Sequence, residues 1–301
     1  MSQKLTFYPL GNAHTCLLEL SNNKKILFDY ANMHDGTTID RRINLEKELA
    51  NIEEFEIVMF SHPHEDHTKG ASNFFYLDHT EKYQSDERKK IKELWISAAF
   101  LLDTELEDGS DAKIIRTEAR HRLKNRYGIK VFAEPGSLTT WLEEEGLTYD
   151  DVKDFIVHAG EIIKSESLGD EIQFFVHAPF SNDCEDVQDK NEQSIVLQVR
   201  LYNHIGVFKR ETNLLITGDA TYNILDKVVD ISKSKGNEEY LKWDIYDIPH
   251  HCSYTGLNEK DENEIYRITP TENIQWLLSQ SMPNAKMVAS CEKITEETSP
   301  P

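Results

Sequence analysis

The chain of 301 residues is short of positive charge: 33 Lys and Arg stand against 54 Asp and Glu, a formal net charge of −21. Such a surface repels nucleic acid as a whole, so a polyanion has to be held by a local basic patch or by metal ions. Cysteine is scarce too. Cys16, Cys184, Cys252 and Cys291 have no paired spacing, which argues against a disulfide framework and fits a reducing cytoplasm. No apolar signal region opens the sequence and no run approaches a membrane span, so the expected setting is cytoplasmic, without a membrane partner. Fixed-period repeats and low-complexity linkers are absent as well. The hydrophobic share of 39%, with 10% aromatics, is enough for a real core, and residues 1–301 are read as one domain.

Histidine, by contrast, is concentrated. Ser61-His62-Pro63-His64-Glu65-Asp66-His67 follows the apolar run Ile57-Val58-Met59-Phe60, which reads as a buried strand. His62 and His64 lie two apart and project to the same side of an extended backbone. With Asp66 and His67 they form a dense set of first-row metal ligands. Two later clusters add to it. Leu214-Leu215-Ile216 runs into Thr217-Gly218-Asp219, delivering a carboxylate from a strand end, and Ile248-Pro249 runs into His250-His251-Cys252-Ser253. A Gly-Asp turn or a His pair is weak evidence alone. Together with the first stretch they supply a dinuclear site: one carboxylate to bridge, one more imidazole to finish the second ion. Asp29 ends the strand Ile26-Leu27-Phe28, placed either to support the site from behind or as a plain turn acid.

The remaining pattern is strand-rich halves separated by helices, which predicts a layered sandwich rather than alternating βαβ units. Helical periods are expected near residues 40–50, 138–145 and 223–235, and through much of the charged region 68–127. Between Lys113 and Lys130 lies the one local excess of positive charge. There Arg116, Arg120 and Lys124 fall at i, i+4 and i+8 and share a helix face. They are either a solvated face paired with acids elsewhere or a phosphate-gripping flap beside the metals.

Taken in order, these motifs resemble the metallo-β-lactamase superfamily and, within it, the ComEC-like competence-type nuclease domains. The matching stretches are Leu10-Gly11-Asn12-Ala13-His14, Ile26-Leu27-Phe28-Asp29, Ser61 to His67 as HxHxDH, Asn191-Glu192-Gln193-Ser194, Thr217-Gly218-Asp219 and Pro249-His250-His251-Cys252-Ser253. The resemblance covers nearly the whole chain. It implies an α+β fold, a four-layer αββα sandwich, with a basic helical insertion at about 100–130. It also implies two divalent ions, Zn²⁺ or Mn²⁺, with His62 and His64 on one, Asp66, His67 and His250 on the other, and Asp219 between them. The sequence does not settle which of His250 and His251 ligates; His250 is favoured, and His251 is then expected behind it or as the group that protonates the leaving oxygen, with Asp66 orienting the attacking group. Arg116, Arg120 and Lys124 are expected to bind substrate. Where such proteins carry a third His for the first ion, this sequence has Asn191, with His177 and His158 as alternatives on apolar strands. An amide oxygen suits harder ions, so Mn²⁺ is expected to serve better than Zn²⁺. Asn12-Ala13-His14 departs from the usual Gln-Gly-Asp, and Cys252 stands in place of Gly. The end at Glu297-Thr298-Ser299-Pro300-Pro301 reads as the close of an N-terminal piece, with further domains or a protein partner beyond residue 301. The implied activity is cleavage of phosphodiester bonds in nucleic acid, DNA first. A small-molecule hydrolase and a non-catalytic metal sensor are the alternatives.

Overall fold

The computed structural model describes residues 3–165, 167–184, 190–205, 208–259 and 268–293; the chain end at 297–301 lies outside them. Strands β1 (Lys4–Phe7), β2 (Cys16–Glu19), β3 (Lys25–Phe28), β4 (Glu54–Met59), β5 (Lys90–Ser97), β6 (Ile129–Phe132) and β7 (Ile156–Val157) lie side by side in chain order. A second sheet holds β8 (Ile162–Ile163), β9 (Ile172–Ala178), β10 (Val196–Ile205), β11 (Phe208–Ile216), β12 (Trp243–Asp247) and β13 (Ser281–Val288), again in chain order. Both sheets are mixed. β1 to β3 pair antiparallel and β3 to β7 parallel; β8 to β11 pair antiparallel and β11 to β13 parallel.

Parallel neighbours require a crossover, and helices supply it. Between β3 and β7 these are α1 (Leu45–Glu48), α2 (Glu65–Thr68), α3 (Ala71–Phe74), α4 (Ala98–Leu102), α5 (Asp111–Asn125), α6 (Gly136–Glu144) and α7 (Tyr149–Val152). In the second sheet α8 (Tyr222–Lys235) joins β11 to β12, and α9 (Glu272–Ser279) joins β12 to β13. Among the described residues no helix is long and apolar enough to cross a membrane.

Alternation along each strand divides the core into layers. Leu27, Val58, Leu94, Ile96 and Val131 face the helices over the first sheet, where Phe74, Ile115, Ala119 and Leu142 meet them. The alternate residues Ile26, Phe28, Ile57, Met59 and Trp95 face Phe174, Leu197, Val199, Leu214 and Ile216 of the second sheet. Leu215 and Tyr246 pack on the far side against Ile224, Leu225, Val228, Ile274 and Leu277 of α8 and α9. The order is helix, sheet, sheet, helix, in a mixed α+β chain.

Two expectations change. The layers are there, but β3 to β7 alternates strand and helix in parallel order, which the sequence argued against. β6 was hidden because Lys130 sits in its middle and prolonged the basic helical pattern. Its recovery turns the supposed insertion at 100–130 into an ordinary crossover: α5 bridges β5 to β6 and buries Ile115, Ala119 and Leu123.

His177, on β9, is buried; its Nε2 lies 2.9 Å from the Tyr240 carbonyl oxygen and its ring stands edge-on to Phe175. That is a core histidine. Burial lowers its pKa from 6.5 to about 4. The unfolded chain therefore takes up this proton below pH 6.5 while the folded chain refuses it until about pH 4. Stability from this group is complete above pH 6.5 and falls by about 1.4 kcal/mol per pH unit through that window. In His177→Gln, urea titrations at successive pH values should show an acid slope shallower by about one proton.

Candidate metal centre

Every expected ligand cluster follows the C-terminal end of a strand. β4 runs into Ser61–His67, β11 into Thr217–Asp219, and β12 into Pro249–His251, so the clusters meet at one edge of the paired sheets, where α/β folds commonly bind ligands. Gly218 is required there. Its φ is 52°, and a Cβ would meet the Cβ atoms of Ser61 at 3.0 Å and Ser194 at 3.2 Å.

Asp29 organises the first-sheet side. Fully buried, it accepts the Ser61 amide at 2.6 Å and the Ser61 hydroxyl at 2.9 Å, and faces His67 Nδ1 at 2.8 Å. A proton on Nδ1 held by that carboxylate leaves His67 Nε2 with its lone pair directed into the site. Burial opposes charge on both groups. The Asp219 and Asp29 carboxylates nonetheless hold the His67 pKa well above its usual value, and His67 and His14 hold Asp29 well below the usual carboxylate range. Burial first, and then the neighbouring His67 charge, press the His62 pKa well down.

Asp66, His67, Asp219 and His251 converge, and His62, His64 and Asp66 form a second group beside them. In the first group His67 Nε2 lies 3.3 Å from His251 Nε2 and 3.1 Å from Asp219 Oδ1. His251 Nε2 lies 3.1 Å from Asp66 Oδ2 and 3.6 Å from Asp219 Oδ2. Ligand atoms about 2.0–2.2 Å from one tetrahedral ion stand about 3.3–3.6 Å apart, so the spacing fits a shared cation. In the second group His62 Nε2 is 3.0 Å from His64 Nδ1 and 3.6 Å from Asp219 Oδ2. Asp219 thus turns one oxygen to His67 and the other toward His62. These His/Asp groupings are able to hold a metal ion. Burial raises the Asp66 carboxyl, but the His251 hydrogen bond and the His67 charge outweigh it and bring its pKa to about 2.

The two histidines of the last cluster exchange roles relative to expectation. His251 Nδ1 faces the Ser290 carbonyl oxygen at 2.8 Å, which leaves its Nε2 free to ligate, and the residue is buried. His250 lies at the site's edge: its Nδ1 meets the Thr255 hydroxyl at 2.7 Å, and its Nε2 is 3.9 Å from Asp219 Oδ2, outside the candidate ligand group that holds His251. A left-handed turn causes the exchange, with φ of 50° at His250, 50° at His251 and 66° at Cys252. Such backbone is costly for residues with a Cβ and concentrates at functional sites.

The mouth is a groove of about 520 Å³ beside His64, where Glu65, Glu105, Glu107 and Asp111 are accompanied by Lys190. Arg116, Arg120 and Lys124 do not line it. The Arg116 guanidinium donates to the Asp103 carbonyl. Arg120 donates to the Leu101 carbonyl at 2.8 Å and lies over the Trp141 ring, while Lys124 pairs with Glu145 at 2.8 Å. The expected substrate flap is a helix face committed to its own surroundings. Lys124→Ala should therefore cost under about 1 kcal/mol of stability, read by urea titration.

Lys190 is the cation at the mouth, 2.6 Å from Asp103, and Asn191 follows it, buried before β10. The sequence reading missed Lys190, the supporting role of Asp247 and that of His14. Asp247 carried a usable signal, since it ends an apolar strand as Asp29 does. No family model matches the sequence, and no curated protein matches it.

Proposed function

We propose that this chain is a dinuclear metal-dependent hydrolase of phosphoesters, built as a metallo-β-lactamase-type sandwich. The observation that carries the reading is the convergence of six donor side chains from three strand ends at ligand-to-ligand spacing. His62 and His64 would hold one ion, His67 and His251 the other, with Asp66 beside both and Asp219 bridging. When bound, such cations act as Lewis acids on the ester and supply a nucleophilic water at neutral pH. The residues around them hold the geometry. Asp29 and the Ser290 carbonyl fix the rings of His67 and His251, Gly218 lets the Asp219 loop approach Ser61, and His250 offers an accessible ring for exchanging a proton with a leaving group.

The substrate favoured is a small ester. The acids around the mouth, and the partners of Arg116, Arg120 and Lys124 away from it, favour a small ester over a long polyanion among the described residues. DNA cleavage is the second reading, favoured by Lys190 at the groove. A metal-free scaffold is disfavoured because several buried imidazoles and carboxylates without ions would be costly. The test is hydrolysis of bis(p-nitrophenyl) phosphate and of supercoiled DNA by metal-stripped protein restored with Mn²⁺ or Zn²⁺, beside His64→Ala. Metal-dependent turnover of the small diester, lost in the variant and without DNA nicking, supports the reading. Nicking lost in the variant makes it a nuclease; no turnover of either refutes both.

A further inference from the structure

His14 lies behind the metal groups rather than in the mouth. Its ring is buried with a nitrogen against each of two carboxylates: Nδ1 is 2.9 Å from Asp29 Oδ2 and Nε2 is 2.9 Å from Asp247 Oδ2. Asp29 follows the last residue of β3 in the first sheet, and Asp247 is the last residue of β12 in the second. Both carboxylates are buried; the Nε2–Asp247 contact is an ion-pair contact outside hydrogen-bond geometry, and the second Asp247 oxygen, Oδ1, has no hydrogen-bond partner. The backbone at His14 is held as well. Its amide donates to the Asp66 carbonyl at 3.1 Å, and the neighbouring Thr15 hydroxyl accepts the Ala31 amide at 3.0 Å. On the far side, the Thr217 hydroxyl donates to the Asp247 carbonyl at 2.6 Å, which ties the loop carrying Asp219 to the same strand end.

A continuous polar path therefore runs from His67 through Asp29, His14 and Asp247 to the strand end that precedes His251. We propose that His14 is a positioning residue, a cross-sheet strut that sets the separation between the ligands of the first sheet and those of the second. The proposal rests on the metal-centre reading above. His62 and His64 leave the same strand end, so their spacing does not depend on how the sheets sit. His67 and His251 come from opposite sheets, and their ion would feel any change in the gap. Partners around a ligand commonly change metal affinity 10–100-fold, and His14 acts directly on one of them, Asp29, which holds His67 Nδ1. The neighbourhood of His14 includes Phe7, packed edge-on at 6.3 Å between centroids, and His67, stacked at 5.9 Å. A smaller polar side chain there leaves one carboxylate without its contact.

The experiment is ¹¹³Cd NMR and calorimetric titration of the metal-stripped wild type, His14→Gln and Asp247→Asn. Wild type should give two cadmium resonances and two binding steps. In His14→Gln the step of the His67–His251 ion should weaken 10–100-fold and its resonance shift or broaden, while the other step, coupled to the second sheet through Asp219 alone, weakens less. Asp247→Asn, which keeps the side-chain shape, should reproduce the same one-sided effect and guards against a His14→Gln that does not fold. Equal weakening of both steps, or titrations identical to wild type, would overturn the strut. If the wild type itself binds no cadmium, the metal-centre reading fails and the strut with it.

Discussion

Asp219→Ala is expected to lower hydrolysis by at least about 10³-fold, the scale seen when a preorganised charge-stabilising group is removed from an active site. Asp219 turns Oδ1 to His67 at 3.1 Å and Oδ2 to both His62 and His251 at 3.6 Å, so it touches both metal groups. It is 2% exposed, so no water replaces its charge from outside. Alanine also leaves two imidazole edges facing each other without an anion, and both binding steps should weaken in the calorimeter. His251→Ala should lose the ion shared with His67. His250→Ala should retain both ions and lose turnover only in proportion to its part in proton transfer. An Asp219→Ala protein with wild-type turnover and two ions would remove the bridge from the account.

A second large effect concerns stability. Glu118 on α5 is fully buried and accepts from Arg122 Nε at 2.6 Å and from the His79 amide at 3.0 Å, with His79 Nδ1 at 2.9 Å. Arg122, 2% exposed, also donates to the carbonyls of Ile91 at 3.1 Å and Gly128 at 3.0 Å. Glu118→Ala leaves the buried guanidinium with only the half-exposed Asp78 carboxylate at 3.5 Å and should cost about 3 kcal/mol in urea unfolding. Ion content should not change, because neither residue belongs to a metal group. Burial raises the Glu118 carboxyl, but His79 and Arg122 outweigh it and take the pKa down from 4.5 to about 2. Its stabilising contribution is therefore present above pH 4.5 and lost as pH falls toward 2, a loss the variant should not show. A cost under about 1 kcal/mol would mean that the pair only offsets its own desolvation.

The legible part of this chain was the part with local rules. HxHxDH after an apolar run, Gly-Asp at a strand end and a His pair at another all declare themselves over a few residues, and the structure brings the three together. Two kinds of feature were not legible. The first was the choice between His250 and His251, which depends on left-handed backbone at 250–252 and on the distant Ser290 carbonyl. The second was the fate of charge. Arg116, Arg120 and Lys124 share a helix face in the sequence, but burial and main-chain acceptors from the preceding loop decide what that face does. His14 and Asp247 were overlooked for the same reason, since their partner lies in the opposite sheet. Cys252 adopts φ of 66°, a conformation glycine takes without strain, so a side chain there has a local cost in the turn that presents His251.

The measurement closest to the central claim is metal stoichiometry by native mass spectrometry, on wild type and on His67→Ala after stripping and reloading with Zn²⁺ or Mn²⁺. Two ions per wild-type chain, with one lost in His67→Ala while His62 and His64 keep theirs, is the predicted result. A wild-type chain that stays metal-free at micromolar metal, folded and unchanged by the substitution, would contradict it.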